Sequence, residues 1–155
     1  MPTRLLDEIK QTKPFARPSD EALLSILRTA TVLEHGSNEV LRPFGITMTQ
    51  YNVLRILRGA GAGGLCGREI GERLISREPD VSRLVDRMEE MGLLRKKRDA
   101  EDRRHVTARI TAKGRKVIEQ ATPGLAEFGR GRVERLSART IEGLVDALAA
   151  IREGA

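Results

Sequence analysis

The sequence predicts a mainly α protein carrying one small β-hairpin. Three observations lead there. Apolar residues recur at helical spacing in successive stretches between residues 19 and 151. Residues suited to capping helix N-termini stand in front of several of those stretches. One pair of short, strand-like runs flanks the polar hexamer Asp99-Ala100-Glu101-Asp102-Arg103-Arg104.

Residues 1–18 hold Pro2, Pro14 and Pro18 around a short amphipathic stretch, which reads as an arm with a brief helix at 3–10. A long helix is expected over 19–42, with Leu23, Ile26, Leu27, Ala30, Leu33, Val40 and Leu41 near helical spacing, stopped by Pro43 and Gly45. Thr47-Met48-Thr49-Gln50 is a capping box, in which hydroxyl and side-chain amide satisfy exposed backbone N–H groups. It opens a helix carrying Val53, Leu54 and Leu57, broken by the glycine-rich run 59–64. A short helix at 67–75 turns Ile70, Leu74 and Ile75 inward, and Pro79 then suits the first position of another, where a missing N–H is harmless.

That helix, 79–91, gathers Val81, Leu84, Val85, Met88 and Met91 on one stripe and Ser82, Arg83, Asp86 and Arg87 on the other. Gly92 stops it. Strands at 93–98 and 105–110 form the hairpin, and Thr111 caps a helix over 112–136 that Pro123-Gly124 is expected to kink or interrupt. Ser137 starts the last helix, with Ile141, Leu144, Val145, Leu148 and Ile151 in a clean stripe.

Three short helices followed by a hairpin make a winged helix-turn-helix, with the hairpin as its wing. The apolar stripes of the flanking helices need burial. Packing against each other and against a second copy of the chain supplies it, and a two-fold dimer sets two recognition helices on one face of a duplex. The expected organisation is an N-terminal arm and long dimerisation helix (1–45), a winged helix-turn-helix lobe (46–111) and C-terminal dimerisation helices (112–155).

Composition narrows the function. With 155 residues, 39% hydrophobic and 32% charged, the chain has the make-up of a soluble globular domain rather than a disordered or membrane-spanning one. Residues 1–13 mix charges with Leu5, Leu6 and Ile9, unlike a secretory signal, so a cytoplasmic location is expected. The single Cys66 excludes an internal disulfide or a cysteine metal cluster, and His35 and His105 are too isolated to bind a metal. Aromatics, at 3%, are too few for the stacking platforms that hold single-stranded nucleic acids. Between residues 95 and 116 stand ten lysines or arginines against three carboxylates, whereas the remainder has eighteen against nineteen. A patch this concentrated suits a polyanionic partner. No Gly-Lys-Ser/Thr ending completes a phosphate loop after the glycine run, and no Ser-His-Asp set is spaced for catalysis.

Over residues 22–151 the chain resembles the MarR family of bacterial transcription regulators. The resemblance is carried by Gly92-Leu93-Leu94-Arg95, by Asp102-Arg103-Arg104 and by Ile110-Thr111-Ala112-Lys113-Gly114, and it extends to the recognition-helix stretch 81–89. It implies a homodimer that binds double-stranded DNA at a pseudo-palindromic operator, usually as a repressor released by a small-molecule effector or an oxidant. It implies neither a catalytic activity nor a cofactor.

On physical grounds, Ser82, Arg83 and Arg87 near the start of an amphipathic helix can reach base edges in the major groove, where arginine reads guanine. Asp80 can orient an arginine or accept from a cytosine amino group. For Arg87, pairing with Glu90 on a solvated face stays open. In the wing, Arg104 suits a narrow minor groove, held by Asp102 through a bidentate pair. Arg103, Lys96, Lys97 and Arg98 suit phosphates, and Lys113, Arg115 and Lys116 suit solvent. Phenolic or aromatic-acid effectors, as the resemblance implies, would meet His35, Tyr51 and Arg55. Cys66 reads as a small semi-buried residue, with an oxidation sensor as its alternative. The other alternative for the chain is a non-catalytic interaction module built on a winged helix.

Overall fold

The computed structural model describes residues 4–98 and 106–154. In chain order these form α1 (Leu5–Glu8), α2 (Pro18–Leu41), α3 (Met48–Ala60), β1 (Leu65–Cys66), α4 (Gly67–Arg73), α5 (Val81–Glu90), β2 (Leu94–Arg98), β3 (Val106–Ile110), α6 (Ala112–Val133) and α7 (Ala138–Glu153). The expected mainly α architecture with a small β wing is what the chain adopts.

Helix α2 begins with Pro18 in its first turn, beside Asp20 and Glu21, whose charges favour a helix N-terminus. It ends in a tight turn at Arg42–Phe44, after which Gly45 takes φ 68°. The Thr47 capping box forms in both directions, with Gln50 N–H donating to Thr47 Oγ1 at 3.2 Å and Thr47 N–H donating to Gln50 Oε1 at 3.0 Å. A second cap comes from α2, because Met48 N–H donates to Asn38 Oδ1 at 2.7 Å. The long helix thus holds the first turn of α3 directly.

Five sequence expectations are corrected. The arm helix is a single turn, Leu5–Glu8, shorter than 3–10. Ile75 is 74% exposed rather than inward, since α4 ends at Arg73 and Leu74 has already turned to extended backbone. Pro79 is not the first residue of α5, because Asp80 is the N-cap and its carboxylate accepts from Arg83 N–H at 2.9 Å. Pro123-Gly124 does not interrupt α6. Packing offsets the lost hydrogen bond there: Ala121 is buried just before it, and Gly124 and Phe128 lie against Val40 and Gly36 of α2 just after. The hairpin also has a third strand, in the order β1-β3-β2, with Leu65 opposite Ala108. A two-residue strand has no periodicity to announce it.

The core lies where α2, α3, α4, α5, β2 and α6 converge, on Leu41, Val53, Leu54, Leu57, Ile70, Met88, Leu94 and Ile118. Gly114 lets the first turn of α6 press onto the chain leaving α5. A Cβ there would lie 2.2 Å from the Leu93 carbonyl oxygen. Outside this core the picture reverses. No residue of α7 is buried, and Leu23, Leu24 and Leu27 of α2 and Leu144, Val145 and Ile151 of α7 are exposed. No described helix is long and apolar enough to cross a membrane.

Candidate nucleic-acid interface

Helix α5 is strongly two-faced. Val85 and Met88 are buried, Val81 and Leu84 pack against the core, and Ser82, Arg83, Asp86 and Arg87 face outward. The Asp80 cap secures its first turn, and Asp80 N–H donates in turn to Glu78 Oε1 at 3.2 Å. The carboxylate proposed for base contact therefore already serves the helix that carries the arginines. Arg83 and Arg87, one turn apart, line an open groove of about 520 Å³ with Asp80, Thr47 and Thr49, between α5 and the start of α3. No carboxylate among the described residues pairs with either arginine. The alternative pairing of Arg87 with Glu90 is not formed.

The far end of α5 is braced on three sides. Gln50 Nε2 donates to Met91 Sδ at 3.7 Å, Lys113 Nζ donates to the Met91 carbonyl at 2.8 Å, and Thr111 Oγ1 donates to the Gly92 carbonyl at 2.7 Å. Lys96 of β2 forms the fourth brace. Its ammonium pairs with Asp86 and lies 3.3 Å from Glu89 Oε2, while its backbone N–H donates to Glu89 Oε1 at 2.7 Å. The Asp86 hydrogen bond first, and the Glu89 contact after it, raise the Lys96 pKa above the usual lysine value against partial desolvation. Lys96, expected at phosphates, thus also ties β2 to α5 through both acids. The acids at 86 and 89 stand three apart on one helix face, but nothing in the chain pattern told which of the wing cations meets them.

Lys97 and Arg98 are exposed on β2, where phosphates can reach them. Asp102, Arg103 and Arg104 lie outside the described residues. The effector trio is not gathered into one site. Tyr51 is buried, and its hydroxyl lies 2.9 Å from Thr122 Oγ1. Because Thr122 Oγ1 donates to the Ile118 carbonyl at 2.6 Å, the tyrosine hydroxyl is the donor of that pair. His35 and Arg55 are exposed on α2 and α3. None of the three lines the cavity of about 300 Å³ that lies between α2 and α3, bounded by Leu33, Glu34, Met48, Asn52, Leu74 and Ile75.

Cys66 is the N-cap of α4. Its thiol side chain meets the backbone N–H of Glu69, and its own N–H donates to Glu69 Oε2 at 2.8 Å. The Cys66 N–H first, and its thiol second, hold the Glu69 carboxyl below the usual value. Sequence reasoning passed over this capping box because cysteine is not a customary capping residue, although Glu69 stands at the right spacing. Among the described residues, no group of three or more His, Cys, Asp or Glu could hold a metal ion.

Comparison with known proteins bears on the family and the fold. The MarR family model matches residues 46–106. Three solved structures superpose over nearly the whole chain. Sco5413, a MarR family transcriptional regulator from Streptomyces coelicolor, is 32% identical with a TM-score of 0.74, over 88% of this chain and 94% of its own. Sco3205 from the same organism, solved in complex with DNA, is 25% identical with a TM-score of 0.79, over 93% and 92%. CouR from Rhodococcus jostii RHA1, solved bound to p-coumaroyl-CoA, is 25% identical with a TM-score of 0.73, over 88% and 95%.

Proposed function

The chain belongs to the MarR family of transcriptional regulators, which bind DNA and are not enzymes, and from that premise we propose that it is a homodimeric repressor of a pseudo-palindromic duplex operator, released by a small-molecule effector. One observation carries the reading: α5 is locked in the core on its Val85–Met88 face and capped by Asp80, while Ser82, Arg83 and Arg87 point outward without carboxylate partners among the described residues. The braced helix fixes the backbone from which the arginines reach, no ion pair has to break to free them, and bidentate pairing with guanine discriminates a base by about 1–3 kcal/mol. Arg104 is proposed for the minor groove and Arg103 for phosphates, on the strength of the Asp102-Arg103-Arg104 motif alone. Lys97 and Arg98 contact phosphates, and Lys96 holds the wing in register with α5. Asp80 acts by capping α5 through the Arg83 backbone N–H.

The dimer reading is supported by the exposed apolar stripes on α2 and α7, which a second copy would cover. The effector reading is supported by the cavity between α2 and α3, because Asn38 and Asn52 bind the DNA-lobe backbone from those same helices, at Met48 N–H and Ile75 N–H. A phenolic or aromatic-acid ligand there would meet Leu33, Met48, Asn52 and Leu74 and shift α2 against α3, without direct contact from His35, Tyr51 or Arg55.

Selection of duplexes from a random pool with the purified protein tests the reading. The expected product is a pseudo-palindrome, bound less selectively by Arg83→Ala and released by an aromatic carboxylate. If no sequence is enriched, and Arg83→Ala and Arg104→Ala bind every duplex as the wild type does, the reading fails.

A further inference from the structure

The root of the hairpin carries cations that the duplex reading does not use. In the register of β2 and β3, Arg95 lies directly opposite Arg109. Side chains so placed share one face with Cβ atoms about 4.5–5.5 Å apart, and like charges there are destabilising. Both arginines line an open cavity of about 800 Å³ together with Lys113 and Thr111 at the start of α6. The cavity's one carboxylate, Glu89, is already engaged by Lys96. No described carboxylate lies within ion-pair distance of Arg95, Arg109 or Lys113.

Two of the three cations are held in place. The Arg109 stem lies over Gly64, where a Cβ would come within 2.7 Å of Arg109 Cγ, and the Lys113 ammonium is anchored on the Met91 carbonyl at 2.8 Å. With no described carboxylate in reach, the repulsion of this arginine pair can be relieved only by an anion from outside it. We infer that the hairpin root is a second ligand site, separate from the α2–α3 cavity, that takes a small polyanion of the phosphate class between Arg95, Arg109 and Lys113. A phosphate fits this set because it offers several acceptor oxygens to two planar guanidinium forks and relieves their repulsion. The site adjoins the Glu89–Lys96 strut, so its ligand would bear on the angle between wing and recognition helix.

Inorganic pyrophosphate is the probe, titrated into the full-length protein by calorimetry at constant ionic strength and without DNA. The expected result is saturable binding at one pyrophosphate per chain, and a melting temperature that rises with pyrophosphate. Arg95→Thr/Arg109→Thr should lose at least about tenfold in affinity, and without pyrophosphate it should melt no lower than the wild type, because a repulsion has gone. Arg115→Ala, exposed on α6 outside the cavity, should bind as the wild type does. Non-saturating heats, or equal binding by the double variant, overturn the site. So does a double variant that melts lower without ligand; the single Arg109→Thr variant decides the matter if the double one does not fold. A duplex titration separates the two phosphate sources. If the double variant loses duplex affinity in step with pyrophosphate affinity, these cations serve DNA phosphates and the proposal falls; if no duplex binds at all, only the operator reading fails.

Discussion

Lys96 and Glu69 show how single side chains tie function to folding, and their opposite pKa shifts give opposite pH signatures. The Lys96 pKa is raised by Asp86 and Glu89, so its contribution is fully present below the ordinary lysine value of 10.5 and is lost as pH rises through the higher folded value. The Glu69 pKa is lowered, so its contribution is present above the ordinary 4.5 and is lost as pH falls through the folded value. Melting curves across pH should therefore show Lys96→Met flattening the alkaline limb and Glu69→Gln flattening the acid limb. Lys96→Met also separates strut from phosphate contact. A strut predicts weaker duplex binding with an unchanged salt slope, whereas a phosphate contact predicts a slope smaller by about 0.9. For Cys66, Ser is the better N-cap, so Cys66→Ser should hold or raise the melting temperature, and peroxide should leave duplex binding by the wild type unchanged. Peroxide-driven release that vanishes in Cys66→Ser would restore the sensor reading. The outward set Ser82, Arg83 and Arg87 was legible because helical periodicity separates faces. The roles of Lys96 and Asp80 were not, because a charge pattern does not say which partner is within 4 Å.

At the scale of elements, two glycines with close approaches behave differently on substitution. Alanine at either gains about 1 kcal/mol of helix propensity over glycine. At Gly114 the new methyl meets the Leu93 carbonyl at 2.2 Å, and backbone on both sides cannot yield without moving β2. Overpacking of this kind costs about 1–3 kcal/mol or more, so Gly114→Ala should be clearly destabilised in urea titration. At Gly36 the methyl meets the Phe128 ring tip at 2.3 Å, and a ring can swing. Gly36→Ala should therefore stay within about 1 kcal/mol of the wild type. Equal losses at both positions would mean that the α2–α6 contact is as rigid as the α6–hairpin contact. The same distinction explains what the chain pattern reveals. Helix starts at Thr47, Thr111 and Ser137 were legible because caps are local chemistry. The continuity of α6 through Pro123 was not, because it rests on Gly124 and Phe128 meeting a helix some eighty residues earlier.

For the whole molecule, the distribution of burial sets the last prediction. The core ends where α2 leaves the DNA lobe, and beyond it Leu23 and Leu27 are each 56% exposed while no residue of α7 is buried. An amphipathic helix gains stability from covering its apolar face, so α7 in an isolated chain has little to hold it. If a second copy covers these stripes, folding of α7 and dimerisation are one event, and melting must depend on protein concentration. Leu27→Glu tests this without touching the core. The variant should keep its helical lobe and sediment as a monomer. Its affinity for a palindromic duplex should collapse toward that for a half-site, because the second lobe no longer benefits from the effective concentration the dimer supplies. Sedimentation as an unchanged dimer would move the interface to another face, leaving the exposed stripes to a different partner. A monomer that still bound the palindrome as tightly would sever dimerisation from operator recognition altogether. The two measurements together therefore decide whether the apolar stripes and the arginines of α5 belong to one mechanism.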